Sequence, residues 1–263
     1  MEILSYPFFQ NALIGLIIIS VASALIGTYI VTRRMVFISG GITHACFGGL
    51  GLGYFFGINP IFMAAIFAIG SSLGVEWLSE RCHVRKDSAI AVIWALGMAI
   101  GIMFIFMTDG YVPDLNSFLF GNVLTITRSD LWIFGGFTLM LIVFFTLFHR
   151  TIIAVSFDAD FARTRHLPVK LINYIMTIFV AVAIVMTIRL IGIMLLMSLM
   201  SLPQMIAENT THRYLGMVKT SVVVAVICSI GGLFVSYTLG VPASASIVLL
   251  LVGLYALTYF THK

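Results

Sequence analysis

One imidazole and one thiol stand out in the apolar stretch of residues 39–57, because both side chains can act as ligands for a metal ion. His44 and Cys46 are two positions apart. That spacing corresponds to about 200 degrees of rotation around a helix, so the two side chains cannot easily share one ion. An imidazole that faces lipid is costly. We therefore expect His44 to face a polar route or to hydrogen-bond across a helix interface, and Cys46 to be a small buried packing residue.

Small residues recur every fourth position in the same stretch. They are Gly41, Ala45, Gly49, Gly53 and Gly57. On a helix, residues four positions apart lie on one face, so these residues form a ridge without bulky side chains. In a bilayer, such ridges let helix backbones approach closely. The spacing predicts a central membrane helix that packs tightly against its neighbours.

The composition of the whole chain is that of an integral membrane protein. Of its 263 residues, 61% are hydrophobic and only 9% are charged, whereas soluble domains carry about 25% charged residues. Several apolar runs approach the length of about 20 residues that a helix needs to cross a bilayer. We predict an all-α, polytopic helical membrane protein with about nine transmembrane helices, eight being the alternative. The net charge of +4 reflects the loops and does not indicate binding to nucleic acid.

The nine predicted spans follow from the length of each apolar run and from the charges that flank it. Their approximate bounds are 8–31, 39–57, 61–78, 88–107, 131–148, 171–188, 191–202, 220–239 and 246–260. Residues 108–130 form a longer segment for which short half-helices are one interpretation. We expect a polar loop over residues 149–170 and helical structure that continues past Pro203.

The basic residues are distributed unevenly between the two sides of the membrane. Under the nine-span count, twelve of the fourteen Lys and Arg residues lie on one side, and only Arg128 and Arg189 lie on the other. Loops rich in Lys and Arg stay in the cytoplasm. This bias predicts an N-terminus outside the cytoplasm and a C-terminus inside it.

The loops contain little that could support chemistry. Glu76 and Glu80, at the inner end of the third span, are expected to pair with Arg81 or Arg85. The chain contains no G-x-x-x-x-G-K-[ST], H-E-x-x-H or G-x-S-x-G motif, so neither a P-loop ATPase nor a common hydrolase site is encoded. We predict a single transmembrane domain over residues 1–263 that is not an enzyme.

The longest polar interruption expected on the inner side is the loop of residues 156–170. Acidic residues lie in its first half and basic residues in its second half, an order that suits the helix dipole. Pro168 then prevents the helix from continuing. The pattern predicts a short helix over about residues 158–165, which is either a solvated connector or a docking helix for a cytoplasmic partner.

Six short sequence blocks occur in order along nearly the whole chain. They are Thr43-His44-Ala45; Asp87-Ser88-Ala89-Ile90; Asp114-Leu115 with Leu119-Phe120-Gly121-Asn122; Phe157-Asp158 with Ala162 and Pro168-Val169; Ile191-Gly192 with Leu195, Pro203 and Ala207; and Ser246-Ile247-Val248-Leu249. Together they resemble the permease subunits of bacterial metal-uptake ABC transporters of the zinc, manganese and iron type. One block would be a weak signal, whereas six in order are specific.

The resemblance implies an assembly in the bacterial cytoplasmic membrane. It implies a homodimer of permeases, cytoplasmic ABC ATPase subunits that bind ATP, and an extracytoplasmic binding protein that delivers the metal. The short inner helix would be the coupling helix that contacts the ATPase, which favours docking over the connector. The contact residues implied are Phe157, Asp158, Ala162, Arg163 and Pro168.

The resemblance also implies a route for a transported divalent metal ion, with His44 and Asp114 as its ligands. Imidazole and carboxylate groups suit such ions, although Asp114 could instead cap a half-helix or bind the delivering protein. Manganese-type members often carry a histidine three residues after this aspartate, and Ser117 occupies that position. Zinc is therefore favoured over manganese and ferrous iron. The alternative function is a stand-alone secondary metal-ion carrier driven by an ion gradient, without ATP or partners.

Overall fold

The computed structural model describes residues 6–108, 121–211 and 213–261, with Arg189 described by its backbone only. These residues form helices and contain no β-strand. In chain order the elements are α1 (Pro7–Thr32), α2 (Phe37–Phe56), α3 (Pro60–Arg81), α4 (Lys86–Phe106), a 3-10 turn (Val123–Thr125), α5 (Arg128–Phe157), α6 (Ala159–Thr164), α7 (Val169–Leu199), α8 (Leu202–Thr210), α9 (Tyr214–Leu239) and α10 (Ala243–Thr261).

Eight helical segments in the described part of the chain are long and apolar enough to cross a membrane. They comprise α1, α3, α4, α5, α9 and α10, together with Val169–Ile188 and Leu190–Thr210. The glycine-rich α2 is not among the eight, but its 20 residues give a length of about 30 Å. Each of the nine predicted spans thus corresponds to a helical segment, and the predicted all-α membrane fold is confirmed.

One predicted helix end was wrong. Helix α5 continues to Phe157, so the helix does not give way to a loop at His149. The intervening residues contain neither proline nor glycine, and Ile152 and Val155 are fully buried, so nothing stops the helix there. The predicted sixth and seventh spans are both present, and they meet at Gly192, where α7 is interrupted by a non-helical backbone conformation.

One compact unit of the chain consists of residues 1–34, 116–158 and 187–263. In its described part, α1 is buried along most of its length and contacts α5, α8 and α9. The hydroxyl oxygens of Ser20 and Ser229 are 3.1 Å apart. The amide nitrogen of Gln204 donates to the carbonyl oxygens of Ser23 and Leu199, at 3.2 and 3.1 Å. Buried polar side chains therefore connect these helices where no water is present to satisfy them.

The interruption of α7 lies within this first unit. Gly192 has φ 76° and ψ 165°, a conformation that is essentially restricted to glycine. Gly121, with φ 60°, lies directly against it, since a Cβ atom added to Gly121 would come within 2.5 Å of the carbonyl carbon of Ile191. Two backbone segments therefore touch here without intervening side chains.

The second compact unit consists of residues 35–115 and 159–186. Helix α2 packs against both α3 and α4 in this unit. A Cβ atom added to Gly49 would come within 2.6 Å of the Cα atom of Ala64 in α3, and one added to Gly97 in α4 would come within 2.5 Å of the Cα atom of Ala45. The predicted ridge of small residues is therefore the surface along which α2 meets its neighbours.

Candidate functional site

His44 lies in the middle of α2 and is only partly buried. Its imidazole ring is parallel to the indole ring of Trp94 in α4, with the centroids 4.7 Å apart and the planes at 4°. The Nδ1 atom is buried and has no hydrogen-bond partner among the described residues. The ring face is thus held by stacking while Nδ1 keeps its capacity to bind a cation or a proton.

Cys46 lies in a different environment from His44. Its side chain is fully buried, and its Sγ atom donates to the carbonyl oxygen of Ile42 at 3.1 Å. This geometry is that of a small packing residue whose thiol is satisfied within its own helix. It does not bring Cys46 together with the stacked imidazole.

The other predicted metal ligand, Asp114, lies outside the described residues, as does Ser117. Within residues 6–108, 121–211 and 213–261, no group of three or more His, Cys, Asp or Glu side chains is placed to hold a single metal ion. In the described part of the chain, His44 is therefore not a member of such a group.

Two glutamates near the end of α3 form ion pairs with partners other than the predicted ones. The side chain of Glu76 is fully buried, and its Oε1 atom is 2.6 Å from Nζ of Lys86. Glu80 is 3.6 Å from Lys170. The predicted pairing of both glutamates with Arg81 or Arg85 was therefore wrong. Arg81, at the end of α3, and Arg85, in the loop that follows, are both exposed, whereas Lys86 begins α4.

The predicted short inner helix is present as α6, one residue shorter at each end than expected. Asp158 ends α5 in an extended conformation, and Ala162 is fully buried. Arg163 donates to the carboxylate of Asp160 at 2.7 Å. The helix ends before Pro168, where the backbone amide of Leu167 donates to the carbonyl oxygen of Ala162 at 3.1 Å.

Two aromatic side chains in the connection between α5 and α7 are exposed. Phe157 is 62% exposed and Phe161 is 52% exposed. The guanidinium carbon of Arg165 lies 5.4 Å from the centre of the Phe161 ring. Exposed aromatic and arginine side chains are enriched where proteins bind one another, so this connection has the character of a docking site.

Phe157, the last residue of α5, also contacts another helix of the first unit. Its ring meets the buried ring of Tyr214 edge-on, with centroids 6.3 Å apart. Arg33, which follows α1, donates to the carbonyl oxygen of Val155 at 2.6 Å, and its guanidinium lies 5.9 Å from the centre of the Tyr29 ring. The end of α5 is therefore attached both to the start of α9 and to the end of α1.

Sequence reasoning missed three of these features: the Trp94 stack, the Glu76–Lys86 pair and the contact of Tyr214 with Phe157. Of the three, only the Glu76–Lys86 pair could have been inferred from the sequence, because a carboxylate in an apolar run usually pairs with a nearby cation. The roles predicted for His44 and for the docking residues stay predictions.

The helices of the described residues define a polytopic, all-α membrane protein. The sequence profile of the ABC 3 transport family matches residues 5–262. The chain belongs to this family, and the predicted resemblance to metal-uptake ABC permeases is confirmed.

The similar proteins include several named for membrane transport. An uncharacterized membrane protein of Synechocystis sp. is 38% identical over 94% of this chain and 88% of its own length. A probable metal transport system membrane protein of Chlamydia pneumoniae is 36% identical over 88% and 81%. The manganese transport system membrane protein MntC of Halalkalibacterium halodurans is 31% identical over 98% and 89%.

A solved structure supports the same fold. PsaBC from Streptococcus pneumoniae, determined in complex with a Fab, contains a chain that matches with a TM-score of 0.84. The two chains are 24% identical, and the match covers 98% of this chain and 93% of the other. This chain therefore has the same fold as the matching chain of PsaBC.

Proposed function

We propose that this chain is the transmembrane subunit of an ATP-driven ABC importer that carries divalent metal ions into the cytoplasm. The observation that carries the proposal is the family match over residues 5–262. The importer consists of two copies of this chain, cytoplasmic ABC ATPase subunits that bind ATP, and an extracytoplasmic metal-binding protein. It lies in the bacterial cytoplasmic membrane with the N-terminus outside and the C-terminus inside, as the distribution of basic residues favours.

In this proposal α6 is the coupling helix on which the ATPase acts. Phe157 supplies an exposed aromatic anchor, Ala162 fixes the helix through its buried side chain, and Arg163 and Asp158 provide charges at its two ends. Pro168 prevents α6 from merging with α7. The attachment of Phe157 to Tyr214 gives the ATPase a mechanical connection to α9.

His44 and Asp114 are the proposed protein ligands along the metal route. The support for His44 is geometric, since its ring is oriented by Trp94 and its Nδ1 atom has no partner in the described structure. An ion in transit must leave in every cycle, so few ligands are an advantage. A structural zinc site, by contrast, uses four.

The cargo is a divalent transition metal, for which zinc and manganese are the leading candidates and ferrous iron is the third. Ser117 argues for zinc, whereas the name of the relative from H. halodurans refers to manganese. Imidazole and carboxylate ligands accept either ion. Selectivity can also reside in the delivering protein, which is a separate chain.

Uptake measurements test the proposal directly. A strain that lacks this chain is complemented with the wild-type gene and offered zinc, manganese and ferrous iron in turn, and the metal content of the cells is measured by elemental analysis. We expect uptake of at least one ion that depends on ATP and on a copurifying ATPase. Uptake driven by an ion gradient in proteoliposomes holding this chain alone would contradict the proposal and favour a secondary carrier.

A further inference from the structure

A buried carboxylate outside the proposed His44 route is only half satisfied. Glu76 is 1% exposed, and its Oε1 atom contacts both Nζ of Lys86 at 2.6 Å and the hydroxyl of Thr177 at 3.4 Å. Its Oε2 atom has no hydrogen-bond partner among the described residues. Burial of a carboxylate oxygen without a hydrogen-bond partner costs free energy. A further positive charge beside Oε2 of Glu76 would therefore be stabilising.

The ammonium group that pairs with Glu76 is held weakly by its own helix. Lys86 is the first residue of α4, and a positive charge at a helix N-terminus is opposed by the helix dipole. Its side chain is 24% exposed, and the four-carbon stem of lysine allows the ammonium to move into water. The ion pair with Glu76, at 2.6 Å, is therefore one of the interactions that keep the ammonium in place.

The atoms around the ammonium are of types that also bind metal ions. Nζ of Lys86 contacts Oε1 of Glu76 at 2.6 Å and the thioether Sδ of Met35 at 3.8 Å. Thr177 adds a hydroxyl oxygen from α7. Carboxylate oxygens suit ions such as Mn²⁺, and a thioether suits softer ions such as Zn²⁺.

We infer that Glu76 is a second binding residue for the transported divalent cation and that Lys86 is a tethered placeholder for it. An arriving ion binds the carboxylate and displaces the ammonium towards solvent. The returning ammonium then competes with the ion, so the site stays weak enough to release its cargo. The inference rests on the proposed function, because it identifies the displacing cation with the transported one.

Binding of manganese to the purified protein tests the site without ATP or partners. MnCl2 alone is titrated into protein in nanodiscs, and free Mn²⁺ is measured by electron paramagnetic resonance. Lys86→Gln removes the competing charge, so we expect it to bind Mn²⁺ about tenfold more tightly than the wild type. The gain should disappear in the double variant Glu76→Gln/Lys86→Gln. The matched control is Lys170→Gln, which removes the same charge from the Glu80 pair and should leave binding unchanged.

A second variant keeps the test informative if Lys86→Gln fails to fold. Lys86→Arg retains the charge, and a guanidinium can take both carboxylate oxygens at once. We expect slower metal uptake in cells than with the wild type, and unchanged uptake for Lys170→Arg.

Several outcomes would overturn the inference. They are Mn²⁺ binding that is no tighter in Lys86→Gln, an equal gain in Lys170→Gln or in the double variant, or normal uptake by Lys86→Arg. If the wild type lacks ATP-driven uptake while Lys86→Gln shows the Glu76-dependent gain, the proposed function fails and the cation site stands.

Discussion

The indole ring of Trp94 lies parallel to the imidazole ring of His44, at a centroid distance of 4.7 Å. The contact joins α4 to α2 where glycines on both helices bring the backbones together. Because stacking uses the face of the imidazole, the two ring nitrogens in its plane remain available. Trp94 therefore acts as a positioning residue for the proposed ligand.

Replacing Trp94 with alanine should disorder the imidazole without removing it. Aromatic pairs are worth about 0.5–1.5 kcal/mol, so we expect Trp94→Ala to reduce metal uptake by about two- to twelvefold. His44→Ala should also reduce uptake, and the double variant should be no worse than His44→Ala, because Trp94 acts through His44. The control is Trp132→Ala, which removes an exposed tryptophan of α5. Additive losses in the double variant would argue against this relationship.

The ring contact between Phe157 and Tyr214 should transmit ATPase movement to α9. Tyr214→Leu removes the aromatic edge, and we expect ATP hydrolysis in the reconstituted complex to continue while metal uptake falls. Tyr214→Phe keeps the ring and should behave as the wild type. Tyr237→Leu on the same helix, where the side chain is exposed, is the control. A parallel loss of ATP hydrolysis and uptake in Tyr214→Leu would indicate loss of assembly instead.

Close packing of α2 against α4 makes Gly97 sensitive to a single methyl group. In Gly97→Ala the added Cβ atom meets the backbone of Ala45, which cannot move as a side chain would. We expect a loss of about 1–3 kcal/mol in the free energy of unfolding, visible as a lower midpoint of thermal unfolding in detergent. Gly253→Ala places its methyl group in open space and should not lower the midpoint.

The spans and the glycine ridge could be predicted because both depend on patterns along a single helix. Apolar length gave the positions of the membrane helices, and the four-residue spacing identified the face of α2 that meets α3 and α4. The end of the apolar run at residue 148 did not predict the end of α5. A helix can continue beyond the bilayer, and α5 ends only at Phe157.

Contacts between helices were less accessible from the sequence. The stacking of Trp94 on His44 could not be predicted, because it depends on how α4 packs against α2. Glu76 had three basic residues within reach, and the choice of Lys86 depends on the rotation of α4 about its axis. The break of α7 at Gly192 lies between the predicted sixth and seventh spans, but the contact of Gly192 with the backbone at Gly121 is long-range and leaves no local pattern.

The contact between Gly121 and Gly192 also limits how these positions can change together. A side chain at Gly121 would meet backbone atoms of Ile191 and Gly192, and trimming a neighbouring side chain cannot make room for it. Gly192 is restricted independently by its positive φ angle. A larger residue at Gly121 cannot be compensated by a change at Gly192, nor the reverse. We therefore expect both positions to remain glycine in related sequences, even where the surrounding apolar residues differ.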